Sequence, residues 1–349
     1  MKNRTLLLTI GSVLILSACG GGGGGGGSSN GGAVGTTPST PNTPAPPVST
    51  LSTITAANAV AVASNAYAAT ASISDSSSLT DVLTGVSIQS ANTGLVPTVF
   101  KLVRRAAEGP NLLTGVVQSK ACTGGGTIAI DATLKNPAML GNGDVMTMLA
   151  TNCIESGVTL NGTLKVTFSN VTGDVLNSST WTATLDSVFT DMAVTSIVNN
   201  VTNVVTVGGD MKIAMNQENA ARNTVVVTGN SLQTTARQNG ATVTTRTLAA
   251  YSLNGNTRDG VVTSAANFNL AGNTASLGQF SLTSQNTKAF VSASGKNANT
   301  GAMIVNGNAS SVTLTAVNDS SVRVDFSAKG DGAVTQSFTL SWAEFLSKI

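Results

Sequence analysis

From Val205 onward the chain alternates apolar and polar residues with a period of two, and that pattern restricts its fold more than any other feature. Val205, Val207, Met211, Ile213 and Met215 interleave with Thr206, Gly208, Asp210, Lys212 and Ala214. Val322, Val324 and Phe326 interleave with Arg323 and Asp325, and Val334, Phe338, Leu340 and Trp342 with Thr335, Ser337, Thr339 and Ser341. Successive side chains of a strand point to opposite faces, so this spacing predicts antiparallel strands with one core face and one solvent face. The dipeptides Asn142-Gly143, Asn161-Gly162, Gly208-Gly209, Asn239-Gly240, Asn254-Gly255, Asp259-Gly260 and Asn306-Gly307 read as turns, because Asn, Asp and Gly accept the positive φ of tight hairpins. The expectation is a mainly β fold: a large antiparallel meander of roughly a dozen strands, built as a barrel, half-barrel or sandwich. No residue pattern recurs at a fixed longer period, which argues against a solenoid.

Two helices are expected ahead of the strands. Residues 53–75 are rich in Ala and free of Gly and Pro, with Ala56, Val60, Ala63 and Tyr67 on one face. Val96 to Ala107 carries Val99, Leu102 and Val103 on one side, has Pro97 in its first turn and stops before Gly109-Pro110.

At the N-terminus, basic Lys2 and Arg4 precede an uncharged apolar run, Leu6 to Leu16. It is shorter than the roughly 20 residues a membrane-spanning helix needs and has the layout of a secretory signal. The run closes with Leu16-Ser17-Ala18-Cys19, which resembles the lipobox of bacterial lipoproteins. That resemblance implies cleavage before Cys19, a diacylglyceryl group on its sulfur and an acylated new amino terminus. Several acyl chains hold a protein on a membrane where a single one is marginal. Gly20 stands where an aspartate would be the inner-membrane retention signal of the enterobacterial type, which points to the outer membrane of a Gram-negative cell. The expected organisation is a signal peptide over 1–18, the lipidated cysteine and a tether over 19–50, and a helix-plus-β domain over 51–349. Gly20 to Gly27 followed by Ser, Thr, Asn and Pro has almost nothing to bury, and roughly thirty such residues reach on the order of 30 Å.

Charged residues are only 10% of the chain, 18 Lys and Arg against 16 Asp and Glu. Removing Lys2 and Arg4 with the signal leaves 16 against 16, so no basic stripe is present to neutralise nucleic-acid phosphates. Lys101, Arg104 and Arg105 read as a solvated helix face. A transmembrane barrel is disfavoured by the lipobox and by thirteen aromatic residues (nine Phe, two Tyr, two Trp), too few for aromatic girdles.

With Cys19 lipidated, Cys122 and Cys153 remain as a pair in an exported protein, and a structural disulfide is expected. Zinc or redox use lacks both histidines and C-x-x-C spacing. The chain has no histidine at all, which removes Ser-His-Asp chemistry. There is no S-x-x-K pair, and the one G-x-S-x-G match, Gly27 to Gly31 around Ser29, lies in the tether. Asp325, Asp331 and the Gly330 carbonyl offer oxygen ligands for calcium, but Lys329 opposes a cation and the segment reads as a Gly-rich turn. Trp181 and Trp342 read as core anchors rather than carbohydrate platforms. No catalytic residue, cofactor or metal is expected.

Residues 301–349, with Cys122 and Cys153 and the Ala-rich helix, loosely resemble uncharacterised proteobacterial envelope lipoproteins in which a Gly-Asp-Gly turn precedes a final strand carrying a tryptophan. Gly330-Asp331-Gly332 and Trp342 match. The resemblance brings no activity with it. The leading expectation is a non-enzymatic structural, adhesive or partner-binding β domain anchored to the outer membrane, on its periplasmic or its surface side. The alternative is a periplasmic carrier of an apolar molecule such as lipid, resembling the lipoprotein-sorting factors in which a curved sheet wraps over helices. A hydrolase with dispersed carboxylates is the third reading.

Overall fold

In the computed structural model, residues 50–71, 95–107, 114–136, 138–155, 157–198, 200–293 and 296–349 are described. Two helices, α1 (Ala59–Ala71) and α2 (Leu95–Ala107), precede fourteen strands. These are β1 (Gln118–Ala121), β2 (Thr127–Thr133), β3 (Val145–Glu155), β4 (Val158–Thr172), β5 (Trp181–Val198), β6 (Val201–Asn219) and β7 (Arg222–Gln238). They continue with β8 (Ala241–Arg258), β9 (Val261–Thr274), β10 (Gly278–Ala293), β11 (Thr300–Gly307), β12 (Ser310–Asn318), β13 (Ser321–Ser327) and β14 (Gln336–Ser341), and a short α3 (Trp342–Leu346) follows. Every strand pairs antiparallel with its chain neighbour, in the order β1 to β14, and the two outer strands do not pair with each other. The meander predicted from the alternation is therefore present, as an open sheet rather than a closed barrel.

The period-two pattern decides which face is buried. In β6, Val205, Val207, Met211 and Ile213 are buried; in β13, Val322, Val324 and Phe326 are. All these inward side chains, from Ile128 on β2 to Phe326 on β13, belong to one contiguous core. A flat sheet of this width could not gather its apolar face into one core, and open sheets beyond about ten strands curl. Here the sheet covers α1. The run Val62 to Ala68 on α1 is buried at seven consecutive positions, so the helix has no solvent side there. Sequence predicted one packed face, Ala56, Val60, Ala63 and Tyr67; Ala56 and Val60 are only partly buried, and the flanking positions are buried as well. Small side chains let a helix be surrounded in this way. Helix α2 follows its predicted pattern, with Val99, Leu102, Val103 and Ala106 buried. Gly109-Pro110 lies outside the described residues.

Four of the seven predicted turns are something else. Asn239-Gly240 and Asp259-Gly260 do close two-residue hairpins, all four residues at positive φ. Asn142-Gly143 falls in the β2–β3 loop. Asn161-Gly162, Gly208-Gly209 and Asn254-Gly255 lie inside β4, β6 and β8, and Asn306-Gly307 ends β11 just before the turn at Asn308-Ala309. Two of the internal pairs sit at bulges, where an extra residue interrupts the pairing. Register shifts run across adjoining strands from β3 to β10, at Ala150/Cys153, Asn161/Thr163, Phe189/Met192, Gly209/Lys212, Ala249/Ser252 and Gln285/Phe290. Bulges bend strands and increase their twist, so this belt is the physical means by which 16- to 19-residue strands such as β5, β6 and β10 wrap a core.

Gly209 shows the constraint. Its φ is +118°, and a Cβ there would lie 2.1 Å from the Ser231 carbonyl oxygen. Gly209→Ala is expected to cost about 1–3 kcal/mol in denaturant unfolding, as strained positive-φ sites do; an unchanged midpoint would count against the bulge geometry.

The C-terminal end also departs from the alternation. Val334 precedes β14 and is 58% exposed, while Trp342 opens α3 and is 2% exposed. Ser341 accepts from the Glu344 N–H and caps this helix, a signal hidden beneath the period-two pattern. Tyr67 of α1 meets Phe290, Trp342 and Phe345 with ring centroids 5.0, 4.9 and 5.9 Å away, so α1, α3 and the sheet share one aromatic joint.

Candidate binding site in the sheet interior

The unusual residue of the core is a cation. Arg246 lies on β8 at the inward parity of Leu248, opposite Thr234 on β7 and Gly272 on β9. It is 7% exposed. Its Nη2 donates to Asn65 Oδ1 on α1, while Nε and Nη1 have no hydrogen-bond partner. The Asn65 amide is oriented by its own nitrogen, which donates to the Ala61 carbonyl at 2.8 Å and the Lys348 carbonyl at 3.4 Å. The oxygen is thereby left to face Arg246, and Arg246–Asn65 joins β8 to α1.

No carboxylate balances this charge among the described residues. Asp144 is the buried acid there, and it accepts from the Lys135 and Gly141 N–H groups at 2.9 and 2.7 Å in the β2–β3 loop. Burial pushes the Arg246 guanidinium down to about 10, which leaves it charged at neutral pH. Since this value lies below the group's ordinary one, burial of the cation opposes folding at every pH below about 10 and the penalty fades only above it. Buried charges are normally paired or strongly hydrogen-bonded. The hydroxyls of Ser187, Ser196 and Ser284, on inward positions of β5 and β10, are also buried and unpartnered. A mainly apolar sheet interior thus contains unsatisfied polar groups, and groups of this kind call for explanation in a native fold.

A recess of about 300 Å³ lies where α2 meets the sheet. Phe100, Trp181 and Met215 form its apolar part, and Arg104 and Gln217 its polar part. Trp181 is otherwise a core anchor, 5.9 Å from the Phe100 ring. Trp342 is one too, its indole N–H donating to the Asn318 carbonyl at 2.9 Å.

The residues singled out from sequence fall as follows. Cys19 and the Gly27–Gly31 segment lie outside the described residues. Cys122 and Cys153 are disulfide-bonded, with Cα atoms 5.3 Å apart. Glu155 lies close enough to the two sulfurs to form a metal-like cluster, but the sulfurs are consumed in the disulfide. Glu155 itself accepts from the Thr123 N–H and hydroxyl at 2.9 and 2.8 Å. Arg105 corrects the solvated-face reading of its cluster: it is half-buried, pairs with Glu155 at 3.5 Å and donates to the Ala121 carbonyl, fastening α2 along edge strand β1. Arg104 is exposed as expected. Asp325 and Asp331 do not converge on a cation. Asp325 binds Arg323 at 2.8 Å and the Ser337 hydroxyl at 2.6 Å, whereas Asp331 accepts from the Ser327 hydroxyl and the Ala333 N–H within a turn.

Arg246 and Asn65 escaped sequence reasoning. The usable signal was Arg246 two residues before Leu248, an arginine at the apolar parity of a strand. No helix among the described residues is long and apolar enough to cross a membrane. No family model matches the chain, and neither does any curated protein or solved structure.

Proposed function

We propose that this chain is a lipid-anchored protein of the bacterial outer membrane that works by binding, with the interior of its open sheet as the receptor for an apolar molecule. The observation that carries this reading is the helix-filled interior: α1 buried against β9 and β11 to β13 of the sheet's apolar face, with Arg246 Nε and Nη1 and three serine hydroxyls left unsatisfied inside. Apolar interiors with a few placed polar groups are the usual design of small-molecule sites. The lipobox and tether support the anchoring half of the proposal, and replacing Cys19 with Ala should move the chain from the membrane fraction to the soluble fraction. The binding half is tested by titrating the full chain with N-phenyl-1-naphthylamine, whose fluorescence rises in apolar surroundings. Saturable binding near one probe per chain is expected; a linear response at all concentrations retires the carrier reading.

One observation favours a protein partner as a second reading. Edge strand β14 pairs only with β13, and its outer edge faces no other strand among the described residues. Such an edge accepts an added strand from another chain. Protection of Ser337 to Ser341 amides from hydrogen exchange in cells or extracts, relative to purified protein, would favour that reading.

A further inference from the structure

We infer that Arg246, with Asn65 beside it, is the receptor for the anionic headgroup of an amphiphile, a carboxylate or phosphate ester on an apolar body. This rests on the interior-binding reading above and names the chemistry of its ligand.

The argument starts from the charge. A guanidinium does not give up its proton at neutral pH, so the interior holds a permanent cation. Its one described partner is a neutral amide oxygen. Two of its three nitrogens are unpartnered, and no described carboxylate reaches it. An arginine kept only for packing gains nothing from this arrangement, because hydrophobic residues of similar volume replace buried ionic groups at no loss of stability in many proteins. What an oxyanion supplies is what is missing: a negative charge and acceptors matched to the planar N–H fork.

The surroundings select the rest of the ligand. Leu248 follows Arg246 on the same strand face, and Leu232 and Leu270 stand in register with Leu248 on β7 and β9, all buried. Thr234 is directly opposite on one side, and Gly272 on the other brings no side chain. A small hydrated anion would meet mostly hydrocarbon here, whereas an acyl chain would be at home. Nη2 carries two N–H donors, one on each two-pronged edge of the guanidinium, so a bidentate oxyanion takes the open edge while Asn65 keeps its hydrogen bond. That hydrogen bond is what joins β8 to α1, and the guanidinium is sealed from solvent while it holds.

The experiment uses the full chain carrying Cys19→Ser, so that its own acyl chains do not compete, in detergent-free titration calorimetry with three probes: oleate, oleyl alcohol and inorganic phosphate. Oleate is expected to bind at least about 30-fold tighter than oleyl alcohol, the effect of one buried charge-assisted contact. Arg246→Met should erase that difference, and Arg246→Lys, which keeps charge without the fork, should retain part of it. Phosphate alone should bind too weakly to measure. Equal affinity for oleate and oleyl alcohol overturns the headgroup assignment while leaving interior binding intact. Binding of neither lipid overturns the underlying reading as well. Phosphate binding as tight as oleate assigns the site to a free anion and overturns the amphiphile. If Arg246→Met does not fold, the Arg246→Lys comparison decides.

Discussion

Trp342→Ala is expected to lower the unfolding free energy by about 3–5 kcal/mol, the range for removing a large aromatic from a packed core. The indole is 2% exposed, lies 4.9 Å from Tyr67 and 5.8 Å from Phe345, and donates its N–H to the Asn318 carbonyl. Its removal also frees α3, whose Phe345 carbonyl accepts from the Ser64 hydroxyl, and the Lys348 carbonyl two residues beyond it, which accepts from the Asn65 amide. The chain's last turn and the central helix therefore loosen together. Trp342→Phe keeps the ring contacts and loses the indole hydrogen bond, so it should cost less than half as much. Val334→Ala is the control: read from the alternation as a core position, it is exposed and should stay within about 0.5 kcal/mol of wild type. Denaturant midpoints with an unchanged slope report these differences. A Trp342→Ala midpoint equal to wild type would contradict the aromatic joint.

Loss of the Cys122–Cys153 disulfide should cost about 3–4 kcal/mol, the chain-entropy value for closing a loop with a sequence separation of 31. Replacing either cysteine with Ala should have nearly the same effect as treating wild type with reductant, because one bond is lost in each case. The local frame remains: Gly124 N–H donates to the Ile154 carbonyl, Ile154 N–H to the Gly125 carbonyl, and Thr123 to Glu155. The loss should therefore appear as reduced global stability with retained strand content in circular dichroism. Collapse of the sheet in the native buffer would mean that the bond does more than restrict the unfolded chain.

Particular residues show why some of this was legible beforehand and some was not. The alternation at Val205 to Met215 reports a local, period-two property of each strand, so fold class and the inward face follow from it directly. The cysteine pair was equally readable, since only two thiols remained to join. Gly208-Gly209 misled because glycine serves a hairpin turn and a mid-strand bulge by the same positive φ, and the choice between them is made by the neighbouring strand. Trp342 kept strand parity while belonging to a helix of five residues, too short to carry a helical period of its own. The candidate site was the least legible part. Arg246 and Asn65 are 181 residues apart and acquire meaning only when the sheet curls far enough to bring β8 onto α1.

The central claim is that this interior receives an anionic amphiphile. The most direct measurement is native mass spectrometry of the full chain released from its own membrane, followed by solvent extraction of what it carries. About one anionic amphiphile per wild-type chain, absent from the Arg246→Met variant, is the expected result. Wild-type chain that is repeatedly free of any bound lipid, or lipid retained equally by the variant, would contradict it.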